Sequence, residues 1–193
     1  MIDVIIVHGF GCNSTNLWYS WLKKELDSTE EFQAITPDFP NPKDPELKEW
    51  IKTLEKAIES TNEKNQLILI GHSLGGFTIL RYLEKLEDEE IRKRILSIYL
   101  VASPSLTRER ATSFYSPKIN LQKIDQLILD LKIPFFAIWS EDDKIVPKEH
   151  IDYLSGNDGL SSLQCKIINN YGHFLEKTNQ YLLDLIKENH LKN

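Results

Sequence analysis

The chain has 193 residues, of which 41% are hydrophobic and 27% charged, and its formal net charge is −6. These values are typical of a globular protein with a substantial core, and we interpret residues 1–193 as one domain. The negative charge argues against nucleic acid or an anionic membrane as the main partner, because both favour a basic surface.

No apolar run approaches the roughly 18 residues of a membrane span. The first ten residues, MIDVIIVHGF, lack the basic flank and cleavage site of a signal peptide. The two cysteines, Cys12 and Cys165, form neither a disulfide framework nor a metal-ligand spacing. We therefore expect reduced thiols, a cytoplasmic location, no metal and no cofactor.

Strands and helices are predicted to alternate along the chain. Apolar, β-branched or aromatic runs predict strands at DVIIVHG, FQAITPDF, QLILIGHS, ILSIYLVAS, IPFFAIWS and CKIINNYGH. Helical periods lie between most of them, at TNLWYSWLKKEL, PELKEWIKTLEKAIEST, LGGFTILRYLEKLEDE and LQKIDQLILDL, and a last helix is predicted for 178–189. Because nearly all-apolar strands alternate with helices, the sequence predicts an α/β three-layer sandwich, in which helices cover both faces of a mainly parallel six-stranded sheet.

The loop after the first strand raises one alternative function. GFGCNS, Gly9 to Ser14, nearly matches the dinucleotide-binding pattern G-x-G-x-x-G, with Asp38 at the end of the second strand as a ribose ligand. Ser14 replaces the third glycine, and a dinucleotide site would leave the later motifs unexplained. We keep it as an alternative.

The third strand runs into QLILIGHSLGG, which places Ser73 at the centre of G-x-S-x-G. In this motif a strand turns sharply into a helix and the serine side chain projects above the sheet. Gly71 and Gly75 flank the serine because a Cβ would collide in so tight a turn. The backbone N–H of Leu74, at the helix N-terminus, points to where an oxyanion would lie. The pattern predicts a nucleophilic serine, and the alternative is a glycine turn with an incidental serine.

A nucleophilic serine needs a base and an orienting carboxylate, which on this architecture follow it in the order acid, then histidine. SEDDKIVP follows the fifth strand and NNYGHF the sixth, so the candidates are Asp142 or Asp143, and His173. A cation site at the acidic turn would need more oxygen ligands. The other histidines are assigned to the first loop, to packing behind the serine, to a surface helix and to the tail: His8, His72, His150 and His190.

These motifs together resemble the α/β-hydrolase superfamily: the elbow GHSLGG, the oxyanion loop HGF, the acid turn EDDKIVP and the terminal YGHF. PDFPNPKDPELKEWIKTL narrows the resemblance to small serine hydrolases of the retinoblastoma-binding protein 9 family, from Val4 to about Leu183. The resemblance implies a minimal fold without a large cap domain and without the first two antiparallel strands of larger relatives. It also implies that Asp143, three residues before Val146 in a D-x-x-V-P turn, is the acid, and that the N–H of Phe10 is a second oxyanion donor.

The predicted function is therefore a serine hydrolase that cleaves a small carboxylic ester or thioester through a Ser73–His173–Asp143 triad and an acyl-enzyme intermediate. The expected partner is a small-molecule acyl substrate, since the site of a capless hydrolase is shallow and open. Candidate pocket residues, two of them in the long loop 103–118, are Cys12, Trp18, Phe114 and Tyr115; the alternative for the three aromatic residues is packing against the helices. The alternative is a catalytically weak or inactive protein-binding module on the same fold. No motif identifies a protein partner.

Overall fold

Apolar runs form the strands of one central sheet in the computed structural model, which describes residues 1–106 and 111–191. The strands are β1 (Ile2–Val7), β2 (Phe32–Ile35), β3 (Gln66–His72), β4 (Ile95–Val101), β5 (Phe135–Ser140) and β6 (Leu163–Ile168). The helices are α1 (Tyr19–Asp27), α2 (Leu47–Glu59), α3 (Leu74–Lys85), α4 (Glu89–Arg94), α5 (Leu121–Leu131), α6 (Glu149–Ser155) and α7 (Gln180–His190), with a 3₁₀ turn at Thr112–Phe114. Within the described ranges, no helix has the length and apolar character needed to cross a membrane.

The sheet has the strand order β2-β1-β3-β4-β5-β6, and each neighbouring pair is parallel. Its two faces are both buried: along β1, Ile5 and Val7 belong to one core, while Val4 and Ile6 belong to the other. Helices α2, α3 and α5 pack in the first core, and α1 and α7 in the second. The predicted three-layer α/β sandwich is confirmed.

Two helices differ most from the sequence prediction, because short polar side chains compete with the helical backbone. Helix α1 begins at Tyr19, since the Asn13 side chain accepts hydrogen bonds from the N–H and hydroxyl of Thr15 and forms a turn instead. Helix α3 ends at Lys85, and Asp88 then starts the separate helix α4 by accepting the first backbone N–H bonds of that helix. Helix α5 has the predicted bounds.

The turn from β3 into α3 brings the start of the helix against the end of β1. A Cβ at Gly75 would lie 2.2 Å from the carbonyl oxygen of Val7, and a Cβ at Gly71 would lie 2.4 Å from the Cα of Gly76. Side chains never approach backbone so closely, so both positions need glycine. Parallel strands end at the same edge of the sheet, and this turn therefore lies beside the loops that follow β1, β5 and β6.

Candidate active site

Ser73 lies in the strained turn between β3 and α3. Its φ of 51° and ψ of −124° place it outside the regions that non-glycine residues favour, at a cost of about 1–3 kcal/mol. The Ser73 N–H donates to the carbonyl of Val101 at 2.8 Å, which ties the turn to β4. The Ser73 side chain is partly exposed, as a nucleophile must be.

The structure brings the three predicted triad residues into one hydrogen-bonded line. His173 Nε2 lies 3.0 Å from Ser73 Oγ, and His173 Nδ1 lies 2.8 Å from Asp143 Oδ2. The side chains of His173 and Asp143 are 6% and 0% exposed, so water does not compete for the bond between them. Because the carboxylate can only accept from Nδ1, Nε2 is left to face the serine oxygen as an acceptor.

Of the two adjacent aspartates in the β5 turn, residues 141–146, Asp143 faces the histidine. Its other oxygen accepts from the N–H groups of Ile145 and Val146 at 2.8 and 2.9 Å, which fixes the carboxylate plane. Asp142 is exposed and accepts from the Ser140 hydroxyl and, at 3.0 Å, from the Gly172 N–H. These bonds, led by that of Ser140, lower the pKa of Asp142. Asp142 therefore links the β5 turn to the segment that carries His173.

That segment, the β6 turn of residues 169–174, has a left-handed backbone at three positions: φ is 65° at Asn170, 49° at Gly172 and 55° at Phe174. Side chains from elsewhere hold the turn. The Ser140 hydroxyl accepts from the Tyr171 N–H at 3.1 Å, and the Trp18 indole donates to the Phe174 carbonyl at 3.1 Å. The turn is therefore held on both sides of His173.

The predicted oxyanion donors flank Ser73. Leu74 is the first residue of α3, so its N–H has no acceptor within the helix. Phe10 lies in the β1 loop, residues 8–18, where the packing of Gly9 would leave a Cβ only 3.1 Å from that of Ser73. His8 fixes this loop, as predicted: its Nδ1 donates to the Gly9 carbonyl at 2.9 Å and its Nε2 accepts from the Phe39 N–H at 3.0 Å.

The same loop argues against the dinucleotide alternative. A phosphate cradle needs backbone N–H groups that point at the ligand. Here the Gly9 N–H donates to the Tyr19 hydroxyl, the Gly11 N–H to the Pro42 carbonyl and the Ser14 N–H to Asp38. The carboxylate of Asp38, the candidate ribose ligand, is thus hydrogen-bonded to this loop. Across residues 1–106 and 111–191, no group of three or more His, Cys, Asp or Glu side chains is placed to hold a metal ion.

A small cavity opens at Ser73 and is mostly apolar. Its volume is about 120 Å³, and it is lined by Phe10, Ser73, Leu74, Pro104, Ala111, Tyr115, Ile145 and Val146. A larger groove of about 620 Å³ shares Phe10 and Ala111 with it and adds polar side chains, among them Lys43, Asp44, Glu46, Thr112 and Ser113. The small apolar cavity at Ser73 therefore adjoins a wide polar groove at Phe10 and Ala111.

Of the four candidate pocket residues, the structure places Tyr115 in the wall of the small cavity and the other three elsewhere. Trp18 and Phe114 are 0% exposed; Phe114 belongs to the first core and Trp18 to the second. Cys12 is half-buried against the second core, and burial raises the pKa of its thiol. None of these three side chains lines the cavity, and for Trp18 and Phe114 the structure favours the alternative of packing in the core.

The long loop 103–118 is anchored at both ends of its described part, and residues 107–110 lie outside the described ranges. Its first end is held by His150, whose Nδ1 accepts from the N–H groups of Ser105 and Leu106 at 2.9 and 3.0 Å. Its second end is held by the buried Arg81, which donates to the carbonyls of Phe114 and Pro117. His150 was expected in a surface helix, but it is only 5% exposed.

Sequence reasoning missed Tyr19. Its hydroxyl lies 2.6 Å from Nδ1 of His72, the residue before Ser73, and His72 Nε2 lies 2.9 Å from the His173 carbonyl. The expected placement of His72, hydrogen-bonded behind Ser73, agrees with this geometry. No sequence signal indicated Tyr19, because its contact with β3 depends on how α1 docks on the sheet.

Known proteins resemble this chain over most of its length. A family model described as serine hydrolase matches residues 4–181. The YdeN protein of Bacillus subtilis (strain 168) is 34% identical over 177 residues, which cover 90% of this chain and 86% of YdeN. The serine hydrolase RBBP9 of Rattus norvegicus is 28% identical over 117 residues, which cover 61% of this chain and 60% of RBBP9.

Solved structures show the same architecture. The crystal structure of the B. subtilis ydeN gene product has a TM-score of 0.83 to this chain at 28% identity, with 100% of both chains covered. A YdeN-like protein from Pectobacterium atrosepticum has a TM-score of 0.68 at 17% identity, with 98% of this chain and 90% of that chain covered. The second likeness concerns the fold alone.

The buried His72 makes the stability of the protein depend on pH. Burial, and then the nearby His173 and His8, lower the pKa of His72 to about 3, whereas an unfolded histidine titrates near 6.5. The stabilisation is complete above about pH 6.5 and is lost as the pH falls towards 3, with a slope of at most about 1.4 kcal/mol per pH unit. We expect His72→Gln to reduce the slope of unfolding free energy against pH between pH 6.5 and 4.5, measured by urea denaturation.

The comparison with wild type isolates His72. Burial also lowers the pKa values of His8 and His190, but these residues are present in both proteins and their contribution cancels. Equal slopes in wild type and His72→Gln would contradict the expectation.

Proposed function

Because the chain belongs to the serine hydrolase family, as the motif resemblance indicated, we propose that it hydrolyses a small carboxylic ester or thioester with Ser73, His173 and Asp143 as catalytic triad. One observation carries the proposal: the hydrogen-bonded line from Ser73 Oγ through the His173 ring to Asp143, at 3.0 and 2.8 Å. The alternative, an inactive binding module, has no need of a base held against a strained serine.

In the proposed reaction, Ser73 Oγ attacks the acyl carbonyl carbon while His173 Nε2 takes the serine proton. The carbonyl oxygen becomes an oxyanion, which the N–H groups of Phe10 and Leu74 stabilise. His173 then gives the proton to the leaving alcohol or thiol, and an acyl-enzyme remains. A water molecule attacks the acyl group with His173 as base, and the acid and free serine are released. Throughout, Asp143 accepts from Nδ1–H and stabilises the imidazolium.

The two cavities support a small acyl group. The cavity at Ser73 is small, about 120 Å³ against about 620 Å³ for the adjoining groove, so it suits a short acyl chain better than a long one. The wider groove of about 620 Å³ would receive the leaving group, and its charged and hydroxyl side chains suit a polar one. We therefore propose a short-chain acyl ester or thioester with a polar leaving group as substrate.

We also propose a cytoplasmic location. Support comes from Cys12 and Cys165, which are both free thiols, as is usual for proteins of reducing compartments.

Active-serine labelling tests the proposal directly. A fluorophosphonate probe phosphonylates a serine that a base has activated, so wild type should gain one adduct and Ser73→Ala none. Intact mass and peptide mapping would locate the adduct on Ser73. Ser97→Ala is the matched control, because Ser97 is a buried serine that is hydrogen-bonded to His190 and does not line the cavity, and this variant should label like wild type. A folded wild type that takes up no probe would favour the binding module.

The two adjacent aspartates should differ in their effect on turnover. Asp143→Asn removes the charge behind His173 and favours the wrong tautomer, so we expect kcat for p-nitrophenyl acetate to fall by about 10³–10⁴-fold. Asp142→Asn keeps an oxygen acceptor for the Gly172 N–H, so its kcat should fall far less. Equal losses would overturn the assignment of Asp143.

Acyl-chain length should decide reactivity. We expect kcat/KM for p-nitrophenyl esters to drop at least about tenfold from butyrate to octanoate, since the cavity holds few methylene groups. Ile145→Ala should shift the preference towards longer chains, because Ile145 lines the cavity and is 46% exposed, so the variant enlarges the space at little cost in stability. Leu129→Ala, a similarly exposed residue outside the cavity, is the control. An unchanged chain-length profile in Ile145→Ala would contradict the cavity assignment.

A further inference from the structure

A buried chain of hydrogen bonds runs behind Ser73 and takes no part in the proposed proton transfers. It links the Gly9 N–H to the Tyr19 hydroxyl at 3.2 Å, that hydroxyl to His72 Nδ1 at 2.6 Å, and His72 Nε2 to the His173 carbonyl at 2.9 Å. Tyr19 is 0% and His72 1% exposed. Side chains so deeply buried do not exchange these hydrogen bonds for bonds to water. The half-buried Cys12 thiol also interacts with the Tyr19 hydroxyl.

The direction of every bond in the chain follows from its last member. The His173 carbonyl can only accept, so His72 Nε2 carries the proton. A neutral imidazole has one N–H, so Nδ1 accepts from the Tyr19 hydroxyl, whose oxygen in turn accepts from the Gly9 N–H. Burial, which lowers the pKa of His72, keeps the ring neutral and hence keeps this order.

The chain joins the three parts of the proposed active site. Gly9 precedes Phe10, the predicted oxyanion donor of the β1 loop. His72 precedes Ser73 in the elbow, and the carbonyl at the end of the chain belongs to His173, the proposed base. Displacement of any of these by about 1 Å can lower a rate about a hundredfold, so a connection that fixes their distances bears on catalysis.

We propose that Tyr19 and His72 are positioning residues, which hold the β1 loop and the His173 backbone at fixed distances from Ser73. This inference rests on the proposed hydrolase function, because these distances matter only if the three parts act together. Tyr19 acts on the oxyanion donor through Gly9, and His72 acts on the base through its carbonyl. Neither side chain touches the substrate.

The test is Tyr19→Phe, with Tyr99→Phe as matched control. The Tyr99 hydroxyl is also hydrogen-bonded to a histidine, His190 Nε2 at 3.0 Å, and Tyr99 is likewise 0% exposed, but this pair lies outside the proposed site. Both variants lose one buried tyrosine–histidine bond, so both should lower the melting temperature. Only Tyr19→Phe should slow fluorophosphonate labelling and lower kcat for p-nitrophenyl acetate, by about ten- to a hundredfold, with KM unchanged.

A double-mutant cycle adds a readout that a purely structural role would not move. If Tyr19 and His72 act as one chain, the loss of kcat in Tyr19→Phe/His72→Gln should be much smaller than the product of the two single losses. Tyr19→Phe/Tyr99→Phe should show no such coupling. If Tyr19→Phe does not fold, the loss of kcat in His72→Gln tests the positioning role instead. Gln can still donate to the His173 carbonyl but cannot accept from Tyr19 at the Nδ1 position, so this variant removes the bond to Tyr19 alone.

The outcomes separate this inference from the proposed function. A wild type that labels, together with a Tyr19→Phe variant that labels and turns over like Tyr99→Phe, overturns the positioning role and leaves the hydrolase function intact. A folded wild type that does not label overturns both. Nitrogen-15 NMR gives a result independent of catalysis. His72 should be the Nε2–H tautomer, and finding the Nδ1–H tautomer would contradict the hydrogen-bond directions on which the inference rests.

Discussion

The contact between the start of α3 and the end of β1 is the constraint on which the rest of the site depends. The carbonyls of Val7 and His8 would lie 2.2 and 2.5 Å from a Cβ at Gly75, so the helix reaches this position only with glycine there. The close approach aims the helix N-terminus at the end of the sheet and holds Ser73 at a positive φ. The free-energy cost of this conformation is confined to the turn, and packing in the cores on both faces of the sheet offsets it.

Much of the fold could be predicted because it is encoded locally. Apolar strands alternating with amphipathic helices gave the layers and the parallel sheet, and the order of motifs along the chain then placed the elbow, the acid turn and the terminal histidine at one edge. The predicted ends of helices and strands were less accurate where a polar side chain or a proline interrupts the backbone hydrogen bonding. The second strand was predicted to reach Phe39, yet β2 ends at Ile35, and Pro37 has no N–H to continue the ladder.

The rest of the site depends on contacts between residues far apart in sequence, which no local pattern encodes. Tyr19 meets His72 across 53 residues, and His150 meets Ser105 across 45. The prediction of which side chains are buried was limited in the same way. Trp18 and Phe114 were candidates for a pocket because large aromatics suit both a pocket and a core, and only the packing of the layers decides between them.

The β6 turn has a consequence for the timing of the reaction. Its three left-handed residues and the bonds from Ser140, Trp18 and His72 leave the backbone around His173 little freedom once the chain has folded. The conformational search that places an imidazole beside its serine is thus completed during folding, not at each turnover. In the proposed reaction, a substrate therefore meets a base that is already in place, and no slow rearrangement of the β6 turn separates binding from chemistry.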